Sequence, residues 1–240
     1  EVAALANAIL ERGKWPEDWK RAEIRVIWKK KGSKSDPKMY RPISILPAIS
    51  RLIERLIERQ LREHLDPLLP DEQHGFRAGH GTTTALSQIV SLVARARANK
   101  NTRAVAITSM DAKAAFDTAD HKLLLVKLER LGGIQGNVLQ LVKSYLEDRH
   151  QQVKMNGERR SNMVPVGGIG VPQGAVLAPL LWAVYTMDLP QSITKGDVVM
   201  YADDVTIITY GRTPEEAQME MREAMAEYHA YAFANRVLPE

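Results

Sequence analysis

The chain has 240 residues, 45% hydrophobic and 26% charged, which suits one large domain or two small ones and excludes a disordered tail or low-complexity linker. Lys and Arg number 33 against 29 Asp and Glu, and the net charge of +4 permits a nucleic-acid partner without demanding one. Cysteine is absent, which excludes disulfides, thiolate zinc sites and cysteine nucleophiles together.

No apolar run approaches the ~18 residues of a membrane span, and charges at Glu11 and Arg12 argue against a signal peptide. A chain that starts at Glu1 and stops at Leu238-Pro239-Glu240 reads as a piece of something longer. The positive charge is concentrated. Lys20 to Arg41 holds nine Lys or Arg against Glu23 and Asp36, a segment of +7 that leaves −3 for the rest. Either a solvated basic loop or a phosphate-facing finger fits that pattern.

From Ala48 to Leu65, Ile49, Leu52, Ile53, Leu56, Ile57 and Leu61 recur at helical spacing, with Arg51, Glu54, Arg55, Glu58, Arg59 and Arg62 on the other face. Pro67 ends this predicted helix. A second is predicted over Thr83–Ala98, burying Leu86, Ile89, Val90 and Val93. Ala104 to Met110 is a short apolar run with β-branched residues, read as a buried strand ending at Asp111. Leucine-rich helices follow over His121–Leu131 and Asn137–Leu146, and Asn156-Gly157 signals a hairpin turn. Ala175–Met187 reads as a helix buried on most sides. Val198–Ala202 and Val205–Tyr210 are two strands separated by Asp203-Asp204, after which Thr213-Pro214-Glu215-Glu216 opens a last, well-capped helix. Helices flanking a mostly antiparallel sheet predict an α+β fold.

Carboxylates at the ends of apolar strands need an explanation, because desolvating a charged pair costs several kcal/mol unless a partner neutralises it. Taken singly, Asp111, Asp203 and Asp204 read as ordinary turn residues. Together they suit Mg²⁺, a hard cation that takes oxygen ligands and keeps positions for water and phosphate. His64, His74 and His80 lack the spacing of zinc ligands on a helix. Gly168-x-Gly170-x-x-Gln173-Gly174 fails as a dinucleotide fingerprint, since its third glycine comes one residue late and no βαβ unit surrounds it.

These residues carry a resemblance. Tyr201-Ala202-Asp203-Asp204 resembles the aromatic-x-Asp-Asp box of reverse transcriptases, and Asp111-Ala-Lys-Ala-Ala-Phe116-Asp117 their first palm motif. Gly170-Val-Pro-Gln173-Gly174 with Val176-Leu-Ala-Pro-Leu180 is similar to their template–nucleotide loop and helix. Tyr40-Arg41-Pro-Ile-Ser44 and His74-Gly-Phe76-Arg77 match the finger motifs. All five stand in the family's order across about residues 20 to 210. Asp120-His-Lys-Leu-Leu124, Ser144-Tyr-Leu-x-x-Arg149-x-Gln-x-Val153 and Asp188-Leu-Pro190 are closer to non-LTR (LINE-type) retrotransposon polymerases than to retroviral or group II intron ones.

The resemblance implies a right-hand polymerase with fingers over residues 1–103 and a palm over 104–240, finger strands from 150–167 being interleaved. It implies an RNA-directed DNA polymerase that adds deoxynucleotides to a primer 3′-hydroxyl on an RNA template. Two Mg²⁺ ions, with Mn²⁺ as a substitute, are implied on Asp111 and Asp203, assisted by Asp204 and the Ala112 carbonyl. Lys29 and Arg41 are implied to grip the triphosphate, and Lys30 and Lys31 are not separable from Lys29 in that role or in binding nucleic acid. Phe116 falls where the family places a bulky ring beneath the incoming sugar, against the alternative of a core phenylalanine. Gln173 is implied to hydrogen-bond near the nascent pair, Gly174 to let a base pair approach the backbone, and Phe76 and Arg77 to shape the template groove.

Departures from the family are Ala178 for Gly or Ser, and Arg51 for Lys. The chain stops before the family's following Lys motif, primer grip and thumb, so the resemblance covers fingers and palm. The implied partners are RNA template, DNA primer and deoxynucleoside triphosphates, with no membrane, with flanking polyprotein domains and with an intracellular ribonucleoprotein setting, nuclear or cytoplasmic. A truncated or domesticated remnant that binds RNA without catalysis is the competing reading. A metal-dependent phosphohydrolase would need further carboxylates or histidines in the motifs.

Overall fold

In a computed structural model that describes residues 1–112, 115–154 and 160–238, the elements follow the sequence closely. They are α1 (Val2–Arg12), β1 (Arg21–Trp28), β2 (Tyr40–Ile45), α2 (Ala48–Leu65), α3 (Thr82–Ala98), β3 (Ala104–Met110), α4 (Ala115–Thr118), α5 (His121–Arg130) and α6 (Gly136–Leu146). Then come β4 (His150–Val153), β5 (Val164–Pro165), α7 (Ala178–Tyr185), α8 (Leu189–Ser192), β6 (Asp197–Tyr201), β7 (Asp204–Gly211) and α9 (Pro214–Ala234). The expected Asn156-Gly157 turn lies outside the described residues. None of the described helices is long and apolar enough to cross a membrane. By packing, the chain forms two units: Glu1–His64 with Ala119–Leu181, and Leu65–Thr118 with Trp182–Glu240.

The first unit is built on a four-stranded sheet in the order β2-β1-β4-β5. The basic segment is therefore a hairpin, not merely a loop: β1 and β2 pair antiparallel from Glu23↔Ile45 to Trp28↔Tyr40. Strand β4 joins the other edge of β1 in parallel, from Arg21↔His150 to Ile24↔Val153. Trp15, fully buried, packs its ring edge-on to Tyr145 and Trp19, and Ser144 Oγ accepts its backbone N–H at 3.0 Å.

The face of α2 differs from expectation. Ser50, Ile53, Glu54, Ile57 and Leu61 are buried, whereas Ile49, Leu52 and Leu56 are exposed. Glu54, expected in solvent, is 0% exposed because its carboxylate has backbone work to do. It accepts N–H bonds from Val176 at 2.8 Å and Leu177 at 3.3 Å, and hydroxyl bonds from Ser50 and Tyr145. Four donors satisfy a carboxylate that burial would otherwise penalise.

The second unit carries the antiparallel sheet β3-β7-β6, running from Ala104↔Gly211 to Met110↔Val205 and from Asp197↔Ile208 to Tyr201↔Asp204. Ala85, Ile89 and Leu92 of α3 pack on one face, against Val199 and Ile208. Leu86 and Val90, expected inside, are exposed. The small Ala85 takes the contact instead. On the other face, Thr209 Oγ1 donates to the Ala217 carbonyl of α9 at 2.8 Å. The Thr213 cap forms as predicted, accepting from Glu216 N at 3.2 Å.

Candidate active site

Strands β6 and β7 meet in a two-residue turn, with Tyr201 paired to Asp204 and Ala202-Asp203 at the tip. Ala202 has φ +59°, a left-handed conformation uncommon for a residue with a Cβ. Gln73 Oε1 accepts the Ala202 N–H at 3.0 Å, and Gln73 Nε2 donates to the Ala202 carbonyl at 3.4 Å. The Trp182 indole N–H donates to that same carbonyl at 3.1 Å. This turn places Asp203 and Asp204.

The neighbouring strand supplies the third carboxylate. Met110 ends β3 opposite Val205, so one further step of the register carries Asp111 level with Asp204. Burial raises the Asp203 carboxyl above its ordinary pKa against the pull of a backbone hydrogen bond, and Asp111 and Asp204 raise it further. Asp204 is raised by burial and then by Asp111. Converging negative charge of this kind is relieved by a cation. Among the described residues no group of three or more His, Asp or Glu side chains is gathered tightly enough to hold a metal ion. Oxygen donors so arranged still fit Mg²⁺, which binds through one or two carboxylates and fills its other positions with water and substrate phosphate. Ala112, whose carbonyl the resemblance brings to the metal, is buried beside Asp111.

Phe116 is half-buried on α4, its ring edge-on to Phe76 at 6.1 Å and tilted against Trp182 at 5.7 Å. Phe76 is exposed and also left-handed, with φ +58°. Arg77 donates to the Pro70 carbonyl at 2.8 Å and the Asp66 carbonyl at 3.2 Å, so its guanidinium braces its own loop. His74 is similarly engaged, with Thr84 and Gln88 of α3.

The remaining sequence-predicted residues belong to the first unit. Lys29 follows β1 and its N–H donates to the Met39 carbonyl, closing the loop that carries the exposed Lys30 and Lys31. Arg41 is exposed on β2. The same strand holds the glycine-rich loop, since Ser44 N donates to the Gln173 carbonyl at 2.8 Å. The buried side-chain oxygen of Gln173 has no partner among the described residues. Gly174 has φ +105°, which strains any residue with a Cβ, and a Cβ there would also sit a tight 3.2 Å from both Ile43 Cγ2 and the Ser44 carbonyl oxygen. Glu54 in the first unit, and Gln73 and Trp182 in the second, escaped sequence reasoning. Gln73 borders the His74-Gly-Phe-Arg motif, and that adjacency was its one visible signal.

Residues 28–234 match the family described as reverse transcriptase (RNA-dependent DNA polymerase). The chain belongs to the reverse transcriptase family. It is 34% identical to the RNA-directed DNA polymerase from mobile element jockey of Drosophila melanogaster, over 96% of this chain and 26% of that protein. It is 35% identical to the probable RNA-directed DNA polymerase from transposon BS of the same species, with the same coverage. The chain thus spans about a quarter of the length of these relatives. Their likeness bears out the LINE-type assignment made from the motifs. Among solved structures, apo telomerase from Candida tropicalis truncated from its C-terminal domain matches with a TM-score of 0.66 at 12% identity, over 91% of this chain and 48% of that one. The α+β fold is therefore that of polymerase fingers and palm.

Proposed function

We propose that this reverse transcriptase chain is the catalytic core of an RNA-directed DNA polymerase, transferring deoxynucleotides to a primer 3′-hydroxyl on an RNA template. The observation that carries the proposal is the placement of Asp203 and Asp204 at the β6–β7 turn with Asp111 one register step past Met110 on the adjacent strand. Asp111 and Asp203, with Asp204 and the Ala112 carbonyl, would hold two Mg²⁺ ions, which supply activation of the attacking hydroxyl and neutralisation of the leaving pyrophosphate. Lys29 and Arg41 bind the triphosphate, Arg41 through bidentate contacts. The Phe116 ring excludes a 2′-hydroxyl, and Gln173 offers its unpartnered oxygen near the nascent pair. Gly174 keeps the Gln173 loop close on β2, while Lys30, Lys31 and Phe76 contact nucleic acid. We assign fingers to residues 1–103 and 150–167 and palm to the rest of 104–240, a division by role that cuts the chain at other places than the packing units do. The setting is an intracellular ribonucleoprotein, with template and primer as partners.

The test is primer extension by a polypeptide carrying this chain with the flanking segments its relatives have. Asp203→Asn is expected to abolish extension and to leave RNA binding largely intact. A wild-type protein that binds RNA but never extends a primer would establish the non-catalytic remnant instead.

A further inference from the structure

We propose that Gln73 is a positioning residue for catalysis, holding the turn that presents Asp203 and Asp204; this rests on the reading of those carboxylates, with Asp111, as metal ligands. A two-residue hairpin loop with φ above zero at its first residue alone favours glycine there. This chain has Ala202 at that place, with φ +59°, so the conformation has to be imposed from outside. The carboxamide of Gln73 imposes it from one side chain. Its oxygen takes the Ala202 N–H and its nitrogen reaches the Ala202 carbonyl, as a pairing strand would.

The backbone beside Gln73 supports this geometry. Met200 N donates to the Glu72 carbonyl at 2.7 Å and His74 N donates to the Met200 carbonyl at 2.8 Å, a parallel bridge on the outer edge of β6. Where β6 turns away, the Gln73 side chain continues that ladder by one more residue. Its oxygen also accepts the Gly75 N–H at 2.8 Å, which fixes its own orientation. Gly75 then lies flush on the turn, since a Cβ there would come within 2.1 Å of Ala202 N. Gln73 is 1% exposed, so its amide is wholly committed to this duty. A methionine would fill the volume and make neither bond.

Three variants of the 240-residue chain test the role: Gln73→Met, Trp182→Phe and Asp203→Asn. Two readouts are taken, Mn²⁺ affinity by paramagnetic resonance of the free ion, and hydrogen exchange of the Ala202 amide. Asp203→Asn is expected to lose Mn²⁺ binding. Folded Gln73→Met is expected to bind Mn²⁺ about tenfold more weakly, the usual effect of removing a partner that orients a metal ligand, and to exchange the Ala202 amide at least about tenfold faster. Unchanged Mn²⁺ affinity or unchanged exchange in that variant, with Asp203→Asn defective, overturns the positioning role while sparing the site. If Asp203→Asn binds Mn²⁺ like the wild type, the reading of the carboxylates fails and the role falls with it. Should Gln73→Met not fold, Trp182→Phe decides, because it removes one donor to the Ala202 carbonyl and keeps a ring. It is expected to weaken Mn²⁺ binding a few-fold, about the worth of one hydrogen bond, and no change overturns the proposal.

Discussion

Phe116 has neighbours on two sides and solvent on part of its surface, which makes it available to a substrate and cheap to change. Phe116→Val is expected to raise ribonucleotide incorporation relative to deoxynucleotide by up to about two orders of magnitude, the ceiling for exclusion by an apolar wall. The stability loss should stay near the ~0.5–1.5 kcal/mol of an aromatic pair rather than that of a core truncation. Primer extension with matched ribo- and deoxynucleotides measures the ratio, and an unchanged ratio removes Phe116 from the sugar site. His121 makes a pH-dependent prediction. Its Nε2 lies 2.6 Å from the Gly170 carbonyl, and burial holds the imidazole below the ordinary value of 6.5. The folded state then binds fewer protons than the unfolded one between the lowered pKa and 6.5, so stability rises with pH through that window and falls on acidification. His121→Gln should flatten that slope in denaturant titrations at pH 5 and pH 7. Asp111, Asp203 and Asp204 stood out only as a set, at the ends of apolar runs and inside motifs in a known order, since each taken singly reads as a turn residue. Glu54 did not stand out, since a glutamate amid arginines on a helix looks solvated until its amide donors, about 120 residues on, are known.

At the scale of elements, periodicity located α2, α3 and the β6–β7 hairpin but misjudged which helical stripe goes inside. Leu86 and Val90 have the more hydrophobic side chains, yet Ala85 faces the sheet with Ile89 and Leu92, a choice of stripe that periodicity alone does not make. β1 and β2 were hidden by their charges: Arg21, Arg25 and Arg41 alternate with apolar residues whose partners are set by long-range pairing. That hairpin is where salt should act. Phosphate contacts release counterions, so affinity for primer–template is expected to fall linearly in log–log form with salt. Replacing Lys30 or Lys31 by alanine should lower the steepness by about one each. A slope that the two variants leave unchanged means their charges face solvent and not phosphate.

Over the whole molecule, the α+β class followed from the order of apolar runs, whereas the pairing of β3 with β7 and the partition into packing units did not. Each unit draws on two separate stretches of chain, with crossings at 64/65, 118/119 and 181/182. No local pattern marks such crossings, because helices and loops on both sides look alike in composition. A break at 118/119 leaves two fragments that each hold half of both cores. Fragments 1–118 and 119–240 are expected to be largely unfolded alone and to regain a cooperative unfolding transition when mixed, as followed by circular dichroism. A cooperative transition in either fragment by itself would contradict the interleaving. The same threading sets a timetable on the ribosome. Met110 and Val205 pair across ninety-five residues, so at synthesis rates of about 5–20 residues per second strand β3 waits roughly 5–20 s for β7. Throughout that interval the strand that leads to Asp111 is an unpaired, apolar edge on a nascent chain, and Asp111 meets Asp203 and Asp204 only once β7 has been made.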